Sequence, residues 1–181
     1  MNIAAGKPVE RGRRLTEINV DSYVKKLMSE AFNGYVCIAT HGKTGLEEGV
    51  LVLHNGQIAS SDYDYYAFNK NYTAEEGLAR TLNALKAEKG ILDSFALSSY
   101  QVQLILTLNE ECTLKQRVDA STFQIPSVFS NTFEDKLLGE QQAQVEKQVE
   151  TKVSEDYEKN AVRAPTTSER VDMLRKILRA K

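Results

Sequence analysis

Two histidines and two cysteines are the side chains that could ligate a transition metal. His41 and His54 flank a predicted strand, whereas Cys37 and Cys112 are far apart in the chain. A structural metal site needs several such ligands at short spacings, for example paired cysteines two residues apart. The two histidines could meet at one edge of a sheet, but neither cysteine has a neighbouring partner. We therefore expect no metal site and no bound cofactor.

Cys37 is the candidate nucleophile, and a thiol needs an activating base to act as one. It lies in the stretch Tyr35 to Thr40, which is rich in aromatic and β-branched residues, and there a cysteine behaves as a small hydrophobe. Residues 42–45, Gly-Lys-Thr-Gly, share residue types with a P-loop but lack its glycine spacing and its following helix. The sequence thus predicts no catalytic residue and favours a binding protein over an enzyme.

Residues 62–66, Asp-Tyr-Asp-Tyr-Tyr, have the most unusual local composition in the chain. Tyrosine combines a large contact area with a polar tip and is enriched at interfaces. Tyr63, Tyr65 and Tyr66 are therefore candidates for partner binding, although the rings could instead close a sheet edge. A further alternative is a small-molecule sensor or enzyme-like site in loop 62–72, lined by Asp62, Asp64 and Tyr66.

The last segment, 165–181, has the pattern of a short amphipathic helix, and Ser168 can cap it. Its apolar face would consist of Val171, Leu174, Ile177 and Leu178, and Arg175 is one of five basic residues against one acidic residue in 170–181. A helix this short is marginal alone in water, so we expect it to fold onto something. These five residues are predicted to dock into a protein partner. Packing on its own domain or binding a membrane surface are the alternatives.

The elements that must position these residues are best marked between residues 19 and 110. Asn55-Gly56 separates two β-rich runs, 48–54 and 57–63, and is the strongest short-range signal for a two-residue hairpin turn. A helix with apolar residues from Val20 to Phe32 precedes the first strand, 35–40, and is expected to end at Asn33-Gly34.

After the hairpin, we predict a loop over 64–71 and then a second helix. Thr73 and Glu76 would form its capping box, and Lys89-Gly90 would end it. Residues 91–97 alternate like a strand. The apolar run 102–108 is ambiguous, but Ser98 and Gln101 form a second capping box and favour a helix.

Composition limits the partners and the compartment. The 181 residues carry a formal net charge of −2, which gives no electrostatic reason to expect nucleic acid or an anionic membrane. No apolar run approaches the roughly 20 residues of a membrane helix, and the first residues lack an apolar signal-peptide core. We expect a cytoplasmic protein that binds another protein, with a homo-oligomer as a further possibility.

These patterns predict an α+β fold: a small antiparallel sheet with a central hairpin, packed by two or three helices. The expected organisation is a loose N-terminal arm over 1–18 and the α+β domain over 19–130. A polar tether, helical or disordered, would cover 131–164, and the amphipathic helix 165–181. Function would then lie in docking a partner, through the terminal helix or the sheet face.

The order of four motifs resembles a family of uncharacterised archaeal proteins with a domain of unknown function. The motifs are GYVCIAT at 34–40, GVLVLHNGQIASSDYDY at 49–65, EEGLARTLNAL at 75–85 and GILDSF at 90–95. The layout is also similar to the regulatory N-terminal domain of bacterial PatA-type proteins. The resemblance spans about residues 18–110. It implies a regulatory or adaptor role and an archaeal source, and it implies no catalytic residues.

Overall fold

A computed structural model of the chain describes residues 1–144. Seven strands form one antiparallel sheet, which confirms the predicted α+β class. They are β1 (Lys7–Arg14), β2 (Gly34–His41), β3 (Leu46–His54), β4 (Gln57–Tyr65), β5 (Lys70–Thr73), β6 (Gly90–Ala96) and β7 (Thr113–Val118). The order across the sheet is β1-β6-β2-β3-β4-β5, and β7 also pairs with β4.

Within residues 1–144, four helices accompany the sheet. They are α1 (Val20–Ser29), α2 (Ala74–Ala84), α3 (Ser99–Leu108) and α4, over 132–144. Short 3-10 turns cover Leu15–Glu17, Tyr66–Phe68 and Glu110–Cys112. The polar segment predicted over 131–164 contains α4 in its first part. The rest of that segment, and the predicted helix 165–181, lie outside the described residues, so the proposed division into domains stays a prediction.

The hairpin between β3 and β4 has the predicted turn. Asn55 and Gly56 have φ angles of 51° and 76°, the left-handed values that a type I′ turn requires at both positions. The Asn33 side chain accepts a hydrogen bond from the Asn55 backbone N–H at 2.9 Å and so attaches the turn to the end of α1. The turn fixes the register of β3 against β4, and the register decides which residues share a face.

The N-terminal segment corrects one prediction. Residues 7–14 are not part of a loose arm, because β1 pairs antiparallel with β6 along Lys7 to Arg14. Nearly every side chain of β1 is exposed, and two register shifts interrupt the pairing. A strand of this kind has no apolar alternation, so its hydrogen bonds to a distant strand leave no local signal in the sequence.

Several predicted boundaries also differ from the structure. α1 ends at Ser29, and the left-handed residue after it is Ala31 rather than Asn33-Gly34. β4 continues to Tyr65 and β5 starts at Lys70, so the predicted loop 64–71 is strand at both ends and a 3-10 turn between them.

The capping boxes differ between the two later helices. Thr73 is the N-cap of α2, but its side chain makes no capping hydrogen bond, and α2 ends at Ala84 before the predicted stop. The capping box of α3 is formed as predicted, because Ser98 and Gln101 bond to each other's backbone N–H groups.

The helices cover the two faces of the sheet unequally. α2 packs against β3 and β4 on one face, where Gly49 and Gly77 permit close approach, and the Tyr23 hydroxyl of α1 bonds the Ser94 hydroxyl on that face at 2.6 Å. The opposite face carries α3. There, Val102 and Ile105 pack on Tyr35, Val50 and Val52, and Met1, Ile3 and Ala4 extend the cluster. α3 and this N-terminal stretch leave part of their face uncovered.

Candidate functional site

The uncovered part of the sheet is built from aligned cross-strand rows. One row runs Ile91, Ala39, Glu48, Asp64 and Asn71 across β6, β2, β3, β4 and β5. Cross-strand neighbours on one face have Cβ atoms about 5 Å apart, so the row presents a continuous strip. The next row adds three further positions: Asp93, Cys37 and Asp62. We call this surface the open sheet face.

Large apolar side chains lie at the border of the open sheet face. Leu46, Tyr66 and Ile91 are exposed, although each extends from a strand or follows one directly. The Tyr66 hydroxyl donates a hydrogen bond to Glu48 at 2.7 Å, which holds the ring beside the carboxylate row. This bond, with help from burial, raises the pKa of Tyr66 to about 12. The tyrosine therefore remains a neutral hydrogen-bond donor at neutral pH.

The carboxylates of the open sheet face are held in place by neighbouring donors. The Asn71 side-chain amide donates to both Asp62 and Asp64, at 2.7 Å and 2.9 Å. The Met1 α-ammonium forms an ion pair with Asp62 at 2.9 Å, and both groups are buried. Asp93 accepts a hydrogen bond from the Gly12 backbone N–H in β1. Glu48, Asp64 and Asp93 stay partly exposed, so this face presents three carboxylates to solvent.

The three tyrosines that were predicted to bind a partner differ in how far they are buried. Tyr63 and Tyr65 are only 2% and 3% exposed, and their rings contact each other at a centroid distance of 5.0 Å. They lie under α2 rather than at a surface, so they cannot contact a partner in this structure. Tyr66 is 53% exposed and remains a candidate. The other five predicted residues, Val171, Leu174, Arg175, Ile177 and Leu178, lie outside the described residues.

The thiols and imidazoles are placed apart. Burial, with the nearby Glu48 and Asp93 carboxylates adding to it, raises the pKa of the Cys37 thiol to about 12. Burial likewise raises the pKa of the Cys112 thiol to about 12. His41 and His54 lie at opposite ends of β3, because His41 is paired with Leu46 and His54 with Gln57. The histidines therefore do not meet, and residues 1–144 contain no group of three His, Cys, Asp or Glu side chains able to hold a metal.

His54 instead has a structural role. Its Nε2 lies 3.0 Å from the Ser99 hydroxyl at the start of α3, and Arg117 of β7 donates to its Nδ1 at 3.2 Å. Burial and the Arg117 charge both lower the pKa of His54. A neutral imidazole that donates to Ser99 and accepts from Arg117 satisfies both contacts. His54 thereby links β7 to the N-terminal end of α3.

A buried acidic pair lies on the other face, near the loop that resembles a P-loop in composition. Glu134 accepts hydrogen bonds from the backbone N–H groups of Lys43 and Thr44 and from the Thr44 hydroxyl. Glu47, only 4% exposed, accepts from the Tyr63 hydroxyl at 2.5 Å. The anion-binding donors of loop 42–45 are thus already occupied by a carboxylate of the chain itself.

An apolar cavity of about 580 Å³ lies between α2 and the segment that follows β7. Leu82, Pro126, Val128 and Phe133 are among its lining residues. The Asn83 side chain attaches this segment to α2. It donates a hydrogen bond to the Ser130 carbonyl at 2.8 Å and accepts one from the Ser130 N–H at 2.9 Å. The volume suits a small molecule, but this lining does not include loop 62–72. The alternative site predicted at that loop stays a prediction.

Sequence reasoning missed Leu46, Ile91 and the outer surface of α3. The open sheet face depends on long-range register and on which helix covers which face, and neither is written in a local pattern. A usable signal did exist for α3, whose ten residues, SYQVQLILTL, include no charge. No helix within residues 1–144 is long and apolar enough to cross a membrane.

Comparison with known proteins gives one result. Residues 1–109 match the profile of a family described as an uncharacterized protein conserved in archaea (DUF2226). The match covers more than half of the chain and includes β1 to β6 and α1 to α3. Neither a curated protein nor a solved structure matches the chain. Similarity to PatA-type proteins is not shown and stays an expectation from the sequence.

Proposed function

For this chain, which belongs to that family of uncharacterised archaeal proteins, we propose a non-enzymatic adaptor function in which the open sheet face binds a protein partner. The observation that carries the proposal is the combination of exposed Leu46, Tyr66 and Ile91 with fixed carboxylates on one uncovered sheet face. Large exposed apolar side chains beside polar groups are typical of protein-binding surfaces.

The chemistry of the face indicates the kind of partner. Glu48, Asp64 and Asp93 favour a segment that carries lysine or arginine, while Leu46 and Ile91 favour apolar side chains between those charges. Because Asn71 and Tyr66 already hold Asp64 and Glu48, little side-chain entropy is lost when a cation approaches. A scaffolding or regulatory role in the cytoplasm, with 165–181 as a second docking element, belongs to the same proposal.

Site-specific photo-crosslinking tests the proposal. A photoreactive phenylalanine analogue replaces Tyr66 in the full chain, and the protein is illuminated in an archaeal cell extract. The control places the same analogue at Lys26, an exposed position on α1 at the other face of the sheet. We expect Tyr66 to yield a discrete crosslinked protein that Lys26 does not yield.

A variant of the open sheet face tests whether the crosslink depends on that surface. Leu46→Lys combined with Ile91→Lys, in the chain that carries the analogue at Tyr66, should abolish that crosslink because it removes the apolar contacts and repels the basic residues of the partner. Identical crosslinks from Tyr66 and Lys26, or a crosslink unaffected by the double substitution, would contradict binding at the open sheet face.

A further inference from the structure

The outer surface of α3 is apolar although it faces water. Tyr100, Leu104 and Leu108 are 75%, 45% and 59% exposed and recur at every fourth residue, so they form one stripe along the helix. Val102 and Ile105 are buried on the opposite side against the sheet. A helix that is apolar on both sides is normally covered on both sides. The described residues leave this stripe without cover.

Nothing on α3 opposes an apolar contact. The polar residues beside the stripe, Gln103 and Thr107, are uncharged, and no lysine, arginine, aspartate or glutamate occurs between Ser99 and Leu108. A charged partner surface would gain no ion pair on this helix and would lose hydration. The stripe therefore fits a second uncharged, apolar surface better than it fits the basic segment proposed for the open sheet face.

Charges lie only at the two ends of α3, and they have opposite signs. Arg117 lies beside the N-terminal end, through its contact with His54 and the contact of His54 with Ser99. Glu110 and Glu111, both exposed, follow the C-terminal end. The ends of two such helices attract each other only when the helices run antiparallel, because a parallel pair would bring acid to acid and base to base.

We infer that the stripe is covered by α3 of a second copy of the chain, in an antiparallel pair related by a twofold axis at Leu104. The spacing supports this arrangement, since four residues separate Leu104 from both Tyr100 and Leu108. Leu104 then faces its own equivalent, and Tyr100 faces Leu108 of the other copy. A twofold interface uses the same patch on both copies, as this stripe allows.

The short length of α3 limits the affinity of the proposed dimer. Ten residues make a helix about 15 Å long. The contact is therefore smaller than the roughly 800 Å² per partner that stable complexes bury. We expect a dimer with a dissociation constant of about 10 μM to 1 mM, which sedimentation equilibrium of the full chain can measure over a range of loading concentrations.

Matched substitutions locate the interface. Leu104→Glu should weaken association at least about tenfold, because two buried carboxylates would face each other across the axis. Leu46→Glu makes the same change at an exposed leucine of the open sheet face and should leave association unchanged. Circular dichroism confirms that both variants are folded. A chain that stays monomeric at about 1 mM, or equal effects of both substitutions, would overturn the inference.

Disulfide trapping tests the antiparallel geometry without disturbing the core. Under mild oxidation, Leu104→Cys should form a covalent dimer by itself. Tyr100→Cys and Leu108→Cys should each remain monomeric alone but crosslink when mixed, and the wild-type chain, with Cys37 and Cys112, measures the background. Covalent dimers from Tyr100→Cys alone would show a parallel pair and contradict the assignment. These outcomes are independent of whether the open sheet face binds a partner.

Discussion

Glu47 is an acidic side chain that the fold removes from water without giving it an ion pair among residues 1–144. One oxygen accepts from Tyr63, whereas Oε1 has no hydrogen-bond partner. A side chain at Gly42 would collide with Glu47 Oε1 and Glu134 Oε2, so these oxygens lie within about 5 Å of each other across Gly42. Two carboxylates this close in a buried site do not both ionise freely.

The protonation of Glu47 therefore depends on its surroundings. Burial raises the pKa of Glu47, and the neighbouring Glu134 charge raises it further, whereas Tyr63 and His41 act in the opposite direction. Glu134 accepts three hydrogen bonds from loop 42–45, whereas Glu47 accepts one, from Tyr63. A raised pKa means that Glu47 keeps its proton to a higher pH than an exposed glutamate does.

Replacing Glu47 by glutamine should change how stability depends on pH. The native state keeps the Glu47 proton to a higher pH than the unfolded state does, so wild-type stability falls as pH rises above about 4.5 towards the raised pKa. Glutamine resembles the protonated acid and lacks this titration. The stability of Glu47→Gln relative to wild type should therefore increase from pH 5 to pH 8.

Urea unfolding of both proteins at those two pH values measures the difference. The pH itself serves as the control, because the two proteins should be closer in stability at pH 5, which lies only slightly above the ordinary carboxyl pKa of 4.5, than at pH 8. A stability difference that is constant over this range would contradict a raised pKa of Glu47 in the native protein.

At the scale of elements, the β3–β4 turn shows how a local signal specifies structure. Gly56 has φ of 76° and lies against α1, so that a Cβ there would collide with the Met28 carbonyl oxygen. Both the backbone angle and the close approach require glycine. The dipeptide Asn55-Gly56 could be recognised from the sequence because the turn depends on two adjacent residues, although the contact with α1 could not.

Gly56→Ala should destabilise the protein by about 2–4 kcal/mol, since it adds a steric collision to the strain of a left-handed alanine. Gly12→Ala is the matched control. Gly12 has φ of 62°, but a Cβ there would meet nothing within 4 Å, so only the strain of about 1–2 kcal/mol applies. Thermal and urea unfolding measure both variants. Equal losses would show that the contact with α1 contributes nothing.

The helices show which structural features a local sequence pattern can predict and which it cannot. Apolar spacing located α1, and a capping box located α3, because both signals lie within a few residues. The face of α2 that meets the sheet was not predictable in the same way. It is built from the small residues Gly77, Thr81 and Ala84. These residues let the helix approach β3 and β4 closely, and they do not form an apolar pattern that stands out in the sequence. The sequence therefore located the helix but not its buried side.

At the scale of the molecule, unequal coverage of the two faces determines where binding can occur. Alternation within the strands indicated that faces exist, and Tyr66 was a candidate from its composition. Leu46 and Ile91 became candidates only when the register aligned them and α3 was seen to cover just part of their face. Tyr63 and Tyr65, identical in type to Tyr66, are buried because the strand continues through them.

The sheet should also be unequal in stability from its centre to its edge. β2 and β3 are each hydrogen-bonded on both sides and carry the buried side chains of the core. β1 pairs only with β6, has exposed side chains and contains two register shifts. Opening β1 exposes little apolar surface, so its hydrogen bonds can break without global unfolding. The N-terminal edge is therefore the part of the sheet most easily released.

Hydrogen exchange followed by mass spectrometry tests this ordering. We expect peptides from β1 to exchange at least about tenfold faster than peptides from β2 and β3, and mild urea should accelerate the central strands but hardly affect β1. β6 provides an internal control, because it lies between β1 and β2 and loses only one neighbour when β1 opens. Protection of β1 equal to that of β3 would mean that the edge strand unfolds only with the whole sheet. The exposed composition of residues 7–14 would then be a poor guide to their stability.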